Sequence, residues 1–118
     1  METKREIVQK LYDGFKVNKK TVRLIVNATL QGVEVPHQLR STPNLTLDLK
    51  PGNHRNFALD DSKLQVTLGF FGHPHHCIVP WEAVWGYATE ETKGVFADSV
   101  PKEFEQPTGA LAVKVKAS

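Results

Sequence analysis

The sequence predicts an α+β fold, in which one amino-terminal helix precedes a small, mostly antiparallel β-sandwich or Sm-like barrel of about six strands. Three observations support this prediction. Apolar residues near the amino terminus recur at helical spacing, and from Val22 onward they alternate with polar residues at every second position. The 118 residues, 40% of them hydrophobic, suffice for one modest core, so we expect a single domain.

The predicted helix spans residues 3–17. Thr3 and Glu6 have the spacing of a capping box at its start. The apolar residues of this stretch share one face: Ile7, Val8, Leu11, Tyr12 and Phe15. This face needs a surface to cover, and the sequence leaves open whether that surface is the domain's own sheet or a second subunit.

Six strands should follow, separated by Gly, Pro, Asn and Asp clusters. In the first, the even-numbered residues from Val22 to Leu30 share one face and Ile25 lies on the other, which predicts a half-buried strand. A hairpin turn around Gly72 should join the fourth strand to the fifth, and Pro80 suits the start of a helical turn before the sixth. The remaining strands are predicted at residues 45–49, 57–59, 63–70, 75–79 and 84–89.

The periodicity ends after Phe96. Residues 98–109 contain two prolines and several charges, which predicts a flexible linker. Alternation returns in the last nine residues, 110–118, which form either an edge strand or a detached recognition tail. We therefore expect a domain at 1–97, a linker at 98–109 and a tail at 110–118.

Composition limits the classes of function. The net charge of +2 makes nucleic acid an unlikely partner, although the helix is locally basic. The charged amino terminus lacks an apolar signal segment and no stretch is apolar enough to span a membrane, so a cytoplasmic protein is expected. One cysteine cannot form an internal disulfide.

The hairpin carries the only cluster of residues that suggests a metal: His73, His75, His76 and Cys77. No second ligand pair stands at finger spacing elsewhere, so we expect no metal and no cofactor. Cys77, within an apolar CIV run, should be a small core residue rather than a nucleophile. With no catalytic residues to assign, the sequence predicts a protein that is not an enzyme.

Several segments in a fixed order resemble the stringent starvation protein B (SspB) family, the adaptors that hand tagged proteins to the ClpXP protease. These segments are VRLIVNATLQGVEVP, LQVTLGFFGHP and CIVPWEAVWGYA, followed by Gly94 and Phe96. The resemblance covers roughly residues 4–97. It implies a sandwich-like domain, a homodimer, and a carboxy-terminal tail that docks on the ClpX unfoldase.

The resemblance also implies the binding residues. A groove for the ssrA degradation tag would be lined by His37, Gln38, Leu39, Leu68, Gly69 and Phe70, with Phe71 and Gly72 shaping its end. The ClpX-docking residues would be Leu111, Val113, Lys114, Val115 and Lys116. The chain departs from the family pattern at Leu39, where an aromatic is common, at Gly69, where an arginine is frequent, and at Phe71, where a glycine is usual. These departures bear on tag specificity.

Two alternatives stand beside the adaptor prediction. A single-stranded RNA-binding module would stack bases on Phe70, Phe71 and Trp81 beside the basic helix. Acidic residues along the sheet argue against it, and Trp81 with Trp85 is also explained by simple core packing. The second alternative is a zinc-dependent enzyme built on the HPHHC hairpin.

Overall fold

A computed structural model describes residues 3–18, 20–50, 54–70 and 72–104. Over these ranges the chain forms helix α1 and seven strands in two antiparallel sheets, which confirms the α+β prediction. The larger sheet has the order β2-β1-β6-β7 and the smaller has the order β3-β4-β5. The elements are α1 (Lys4–Asn18), β1 (Val22–Val26), β2 (Leu45–Leu49), β3 (His54–Leu59), β4 (Lys63–Phe70), β5 (His73–Pro80), β6 (Val84–Ala88) and β7 (Lys93–Val95).

Helix α1 starts with the predicted capping box. The Thr3 backbone N–H donates to Glu6 Oε1 at 2.8 Å, and the Glu6 N–H donates to Thr3 Oγ1 at 3.2 Å. Val8 and Phe15 are buried in the same core as both sheets, with Leu11 packed partly against it. The helix therefore covers its own domain, one of the two surfaces that the sequence left open. None of the helices in the described ranges is long and apolar enough to cross a membrane.

Gly14 weakens α1 for no packing reason, because a Cβ added there would have no heavy atom within 4 Å. Glycine inside a helix costs up to about 1 kcal/mol relative to alanine. We therefore expect Gly14→Ala to raise the free energy of unfolding by about 0.5–1 kcal/mol in urea denaturation. Gly72→Ala is the matched control: at φ +83° the same methyl group is strained, so stability should fall. A loss of stability in Gly14→Ala would contradict the conclusion that Gly14 has no packing role in α1.

The main core lies between the two sheets and α1. It takes the alternate residues Leu64, Val66 and Leu68 from β4, and Cys77 and Val79 from β5. Strand β2 contributes leucines at every second position. The shared core identifies a sandwich, one of the two forms that the sequence predicted.

Strand β1 differs from its prediction, because it is buried on both faces. Ile25, expected to face outward, is 1% exposed, and it forms a second small core with Trp85 and Val100. The strand also ends at Val26, and Leu30, predicted on the buried face, is 39% exposed. The expected alternation of buried and exposed residues along β1 is interrupted at Ile25, because a later part of the chain covers the outer face of the larger sheet.

The covering part is residues 97–104, which we call the 97–104 segment. It contains two short 3₁₀ turns, Ala97–Ser99 and Lys102–Phe104, and the Phe104 ring stacks on Trp85 at 5.3 Å. The linker was predicted from Asp98, but residues up to Phe104 pack on the domain. The rest of the linker and the tail 110–118 lie outside the described residues.

The start of α1 helps to hold this segment. Lys4 Nζ donates to the Trp81 carbonyl oxygen at 2.8 Å and to Ser99 Oγ, and it lies 5.3 Å from the centre of the Phe96 ring. Burial lowers the pKa of Lys4 below its ordinary value, an effect opposed by the charges of Asp98 and Glu82. The first turn of α1 is therefore hydrogen-bonded to the 97–104 segment through Ser99.

Candidate functional site

A groove of about 370 Å³ opens at the hairpin end of the smaller sheet, and we call it the Gly69 groove. All three strands of that sheet contribute to its wall. The lining residues are His54, Arg55, Thr67, Leu68, Gly69, Gly72, His73 and Pro74.

The groove forms where β4 turns into β5. Gly72 adopts φ +83° in this turn, a backbone conformation that favours glycine. Gly69 pairs with Pro74 across the hairpin and is exposed. Because Gly69 has no side chain, it leaves a hollow on the surface of the sheet.

This hollow lies on the outer face of the sheet, away from the core. Side chains alternate between faces along a strand, so Gly69 shares its face with Thr67, while Leu68 points inward and is buried. Thr67 accepts a hydrogen bond from Asn56 Nδ2 at 3.2 Å and lies 3.0 Å from His76 Nδ1. The hydroxyl of Thr67 is thus engaged by two neighbours.

The wall at His54 is fixed by helix α1. His54 Nδ1 donates to the Lys50 carbonyl oxygen at 3.1 Å, and in the neutral imidazole Nε2 accepts from the Tyr12 hydroxyl at 3.0 Å. The Tyr12 ring stacks on Phe57 with ring centres 3.9 Å apart, and burial raises the pKa of Tyr12. This side of the groove is therefore rigid.

The charge of the groove is basic. Arg55 and two histidines line it, and none of the described residues in its wall is acidic. Arg55 is exposed, and its side chain makes no hydrogen bond or ion pair with the residues that the structure describes. By contrast, Arg5 pairs with Asp61 and Arg23 pairs with Asp48. An anionic group is the natural ligand of such a site.

The structure brings together some of the predicted binding residues and separates others. Leu68, Gly69 and Gly72 line the Gly69 groove. Phe70 packs partly against the core and meets His75 edge-on at 6.4 Å, so it lies outside the groove wall. Phe71 falls outside the described residues.

The predicted loop His37–Leu39 lies elsewhere. It forms a short 3₁₀ turn in which Leu39 packs partly against the core, and it does not contribute to the wall of the groove. Glu34 bridges Ile78 in an antiparallel manner, so the chain after Glu34 runs along β5 in the direction of the hairpin. The His37–Leu39 turn therefore follows a stretch that pairs with β5 on the edge opposite to β4.

Five residues that line the Gly69 groove were not among the predicted groove residues: His54, Arg55, Thr67, His73 and Pro74. The first two were missed because β3 begins at His54, three residues before the predicted start. A bulge shifts the register between Arg55 and Ala58, and Asn56 within it adopts φ +57°. This bulge interrupts the alternation by which a strand is recognised.

Cys77 and Trp81, which the sequence offered for other functions, are both buried in the core. Burial raises the pKa of the Cys77 thiol to about 11, which agrees with a small core residue and leaves little thiolate. Trp81 is buried and donates from Nε1 to the Asp60 carbonyl oxygen at 2.8 Å, so it offers no free face for a base. Within the described ranges, no three His, Cys, Asp or Glu side chains converge on a point that could hold a metal ion.

Comparisons with known proteins identify the family of this chain. The family model described as stringent starvation protein B matches residues 2–114. The chain is also 28% identical over 112 residues to the stringent starvation protein B homolog of Haemophilus influenzae. The aligned region covers 87% of this chain and 75% of that protein. Because the family model spans nearly the whole sequence, the chain belongs to the stringent starvation protein B family.

Proposed function

We propose that this protein is an adaptor that binds ssrA-type degradation tags in the Gly69 groove and delivers the tagged proteins to the ClpXP protease. The observation that carries the proposal is the groove itself, formed at the end of β4 by Leu68, Gly69 and Gly72 in a chain of the SspB family. The protein performs no catalysis in this scheme, because the protease cleaves the substrate.

The shape of the site suits an extended peptide. The groove is a surface trough rather than an enclosed cavity, and it crosses the ends of three strands. An extended chain in such a trough gains contacts at alternate side chains, which provide specificity. Its rigid wall at His54 lowers the entropy lost on binding.

Delivery requires a second contact. Residues 110–118 are proposed to dock on ClpX through Leu111, Val113, Lys114, Val115 and Lys116. Two weak contacts on one adaptor make the second binding event intramolecular, so overall affinity can exceed that of either contact by about 10²-fold to 10⁴-fold when the geometry allows both. A homodimer, also implied by the family, would double the number of tethers.

The test combines binding and degradation. With the unaltered protein, we expect an ssrA-tagged fluorescent reporter to be digested by ClpXP at least about tenfold faster when the reporter concentration is far below its KM. Gly69→Trp should fill the hollow and abolish both this acceleration and the binding of a labelled ssrA peptide. Fluorescence loss and anisotropy measure the two effects.

Ala58→Trp serves as the matched control. Ala58 is exposed on the same sheet face, opposite Gln65 and outside the wall of the groove. This variant should bind peptide and support degradation normally. The proposal fails if the unaltered protein does not accelerate digestion, or if Gly69→Trp and Ala58→Trp behave alike.

A further inference from the structure

We propose that Arg55 recognises an acidic side chain of the bound peptide, which enters the hollow that Gly69 leaves on the outer face of the smaller sheet. The inference rests on the proposed peptide-binding function and assigns the chemistry of one position in the ligand.

The first step is geometric. Arg55 on β3 pairs with Thr67 on β4, so both side chains lie on the outer face, and Gly69 is the diagonal neighbour of Arg55. Diagonal positions on adjacent strands are roughly 7–8 Å apart, within the reach of an arginine. The guanidinium and the hollow therefore belong to one site, and both contribute to the same groove wall.

The second step concerns charge. No acidic residue among those described lines the groove, and Arg55 has no ion-pair partner within the described ranges. The hydroxyl of Thr67 is engaged by Asn56 and His76, so it competes little for a ligand. A guanidinium binds a carboxylate through two parallel hydrogen bonds, which makes a carboxylate the best ligand for this position.

The third step distinguishes a side-chain carboxylate from the terminal one. Terminal carboxylates are captured by nests of backbone N–H groups. Strand β4 is the central strand and pairs with β3 and β5 on its two edges, so its backbone donors are used within the sheet. The outer face presents side chains, which favours an aspartate or glutamate within the peptide.

The experiment is a cycle of protein and peptide variants, measured by the anisotropy of labelled synthetic ssrA peptides. Arg55→Gln should weaken binding of the unaltered peptide about tenfold. Among peptides with a single Asp→Asn or Glu→Gln change, one should bind the unaltered protein about tenfold more weakly and should be insensitive to Arg55→Gln. An amidated carboxy terminus should change nothing.

The controls separate charge from folding. Lys93→Gln removes one exposed positive charge from β7 of the larger sheet, which does not contribute to the groove wall, and should bind as the unaltered protein does. Arg55→Glu should prefer a peptide that carries lysine at the selected position, a reversal that general loss of structure cannot produce. Arg55→Lys should retain part of the affinity.

Each result decides between the proposals. Unchanged affinity in folded Arg55→Gln would overturn the role of Arg55 and leave the adaptor function standing, as would an effect that disappears on amidation of the peptide. Failure of every ssrA peptide to bind the unaltered protein would instead overturn the adaptor function, and the role of Arg55 with it. If Arg55→Gln does not fold, the peptide series on the unaltered protein decides alone: without a tenfold effect at one acidic position, the inference is wrong.

Discussion

Removal of residues 105–118 is expected to abolish delivery to ClpXP while leaving peptide binding unchanged. The described part of the domain extends to Phe104, whose ring stacks on Trp85, so a chain that ends at Phe104 keeps this stacking contact and the buried Val100. The Gly69 groove uses residues 54–74, far along the chain from the deletion. The deletion therefore removes the residues of the proposed contact with ClpX and none of the residues that line the groove.

The measurement uses two baits, ClpX and immobilised ssrA peptide, with the full chain and the shortened chain. We expect the shortened chain to be retained by the peptide and lost from ClpX. Degradation of a dilute tagged reporter should fall to the rate without adaptor, because the gain in effective concentration disappears.

A full-length chain with Leu111→Ser and Val113→Ser is the matched control, since it keeps the length of the tail and changes its apolar residues. It should behave as the shortened chain does. If the shortened chain still accelerates digestion, the contact with ClpX lies within residues 1–104 and the assignment of the tail is wrong.

Trp85→Ala should cause the largest loss of stability, about 3–5 kcal/mol in the free energy of unfolding. The Trp85 side chain is 1% exposed, packs between Ile25 and Val100, and donates from Nε1 to the Pro43 carbonyl oxygen at 2.9 Å. Its removal leaves a cavity, an unpaired carbonyl group and a Phe104 ring without its stacking partner. Urea denaturation followed by circular dichroism measures the loss.

Trp85→Phe isolates part of this effect. It keeps an aromatic ring against Phe104 and removes the hydrogen bond to Pro43, so the loss should be clearly smaller, about 1–2 kcal/mol. Domains of this size have a total stability of about 5–15 kcal/mol, so the loss in Trp85→Ala should be a large fraction of the total. A loss below about 1 kcal/mol in Trp85→Ala would show that the outer face of the larger sheet is loosely covered.

Local signals in the sequence predicted the fold well where neighbours along the chain decide the structure. Strand β4 was predicted at its observed bounds, since its alternation is uninterrupted over eight residues. The capping box likewise placed the start of α1 within one residue. In contrast, the short strand β7 has three residues and is stabilised by pairing with β6, a contact that local periodicity does not reveal.

Long-range contacts explain the remaining differences. The 97–104 segment has no periodicity, yet Val100 is buried because Ile25 and Trp85 supply an apolar surface from distant parts of the chain. The family resemblance named Leu68, Gly69 and Gly72 as groove residues, and all three line the Gly69 groove. Arg55 was not predicted there, because the β-bulge interrupts the alternation of apolar and polar residues at the start of β3. Gly69, one of the three positions at which the resemblance indicated a departure from the family pattern, is exposed and lines the hollow.

The bond between Lys4 and Ser99 has a practical consequence for how this protein is handled. It places the first helical turn beside Ser99 in the 97–104 segment, which covers the outer face of the larger sheet. A bulky reporter attached beside Lys4 would therefore disturb the packing of the 97–104 segment. Reporters are better attached at Glu90, an exposed position in the turn between β6 and β7.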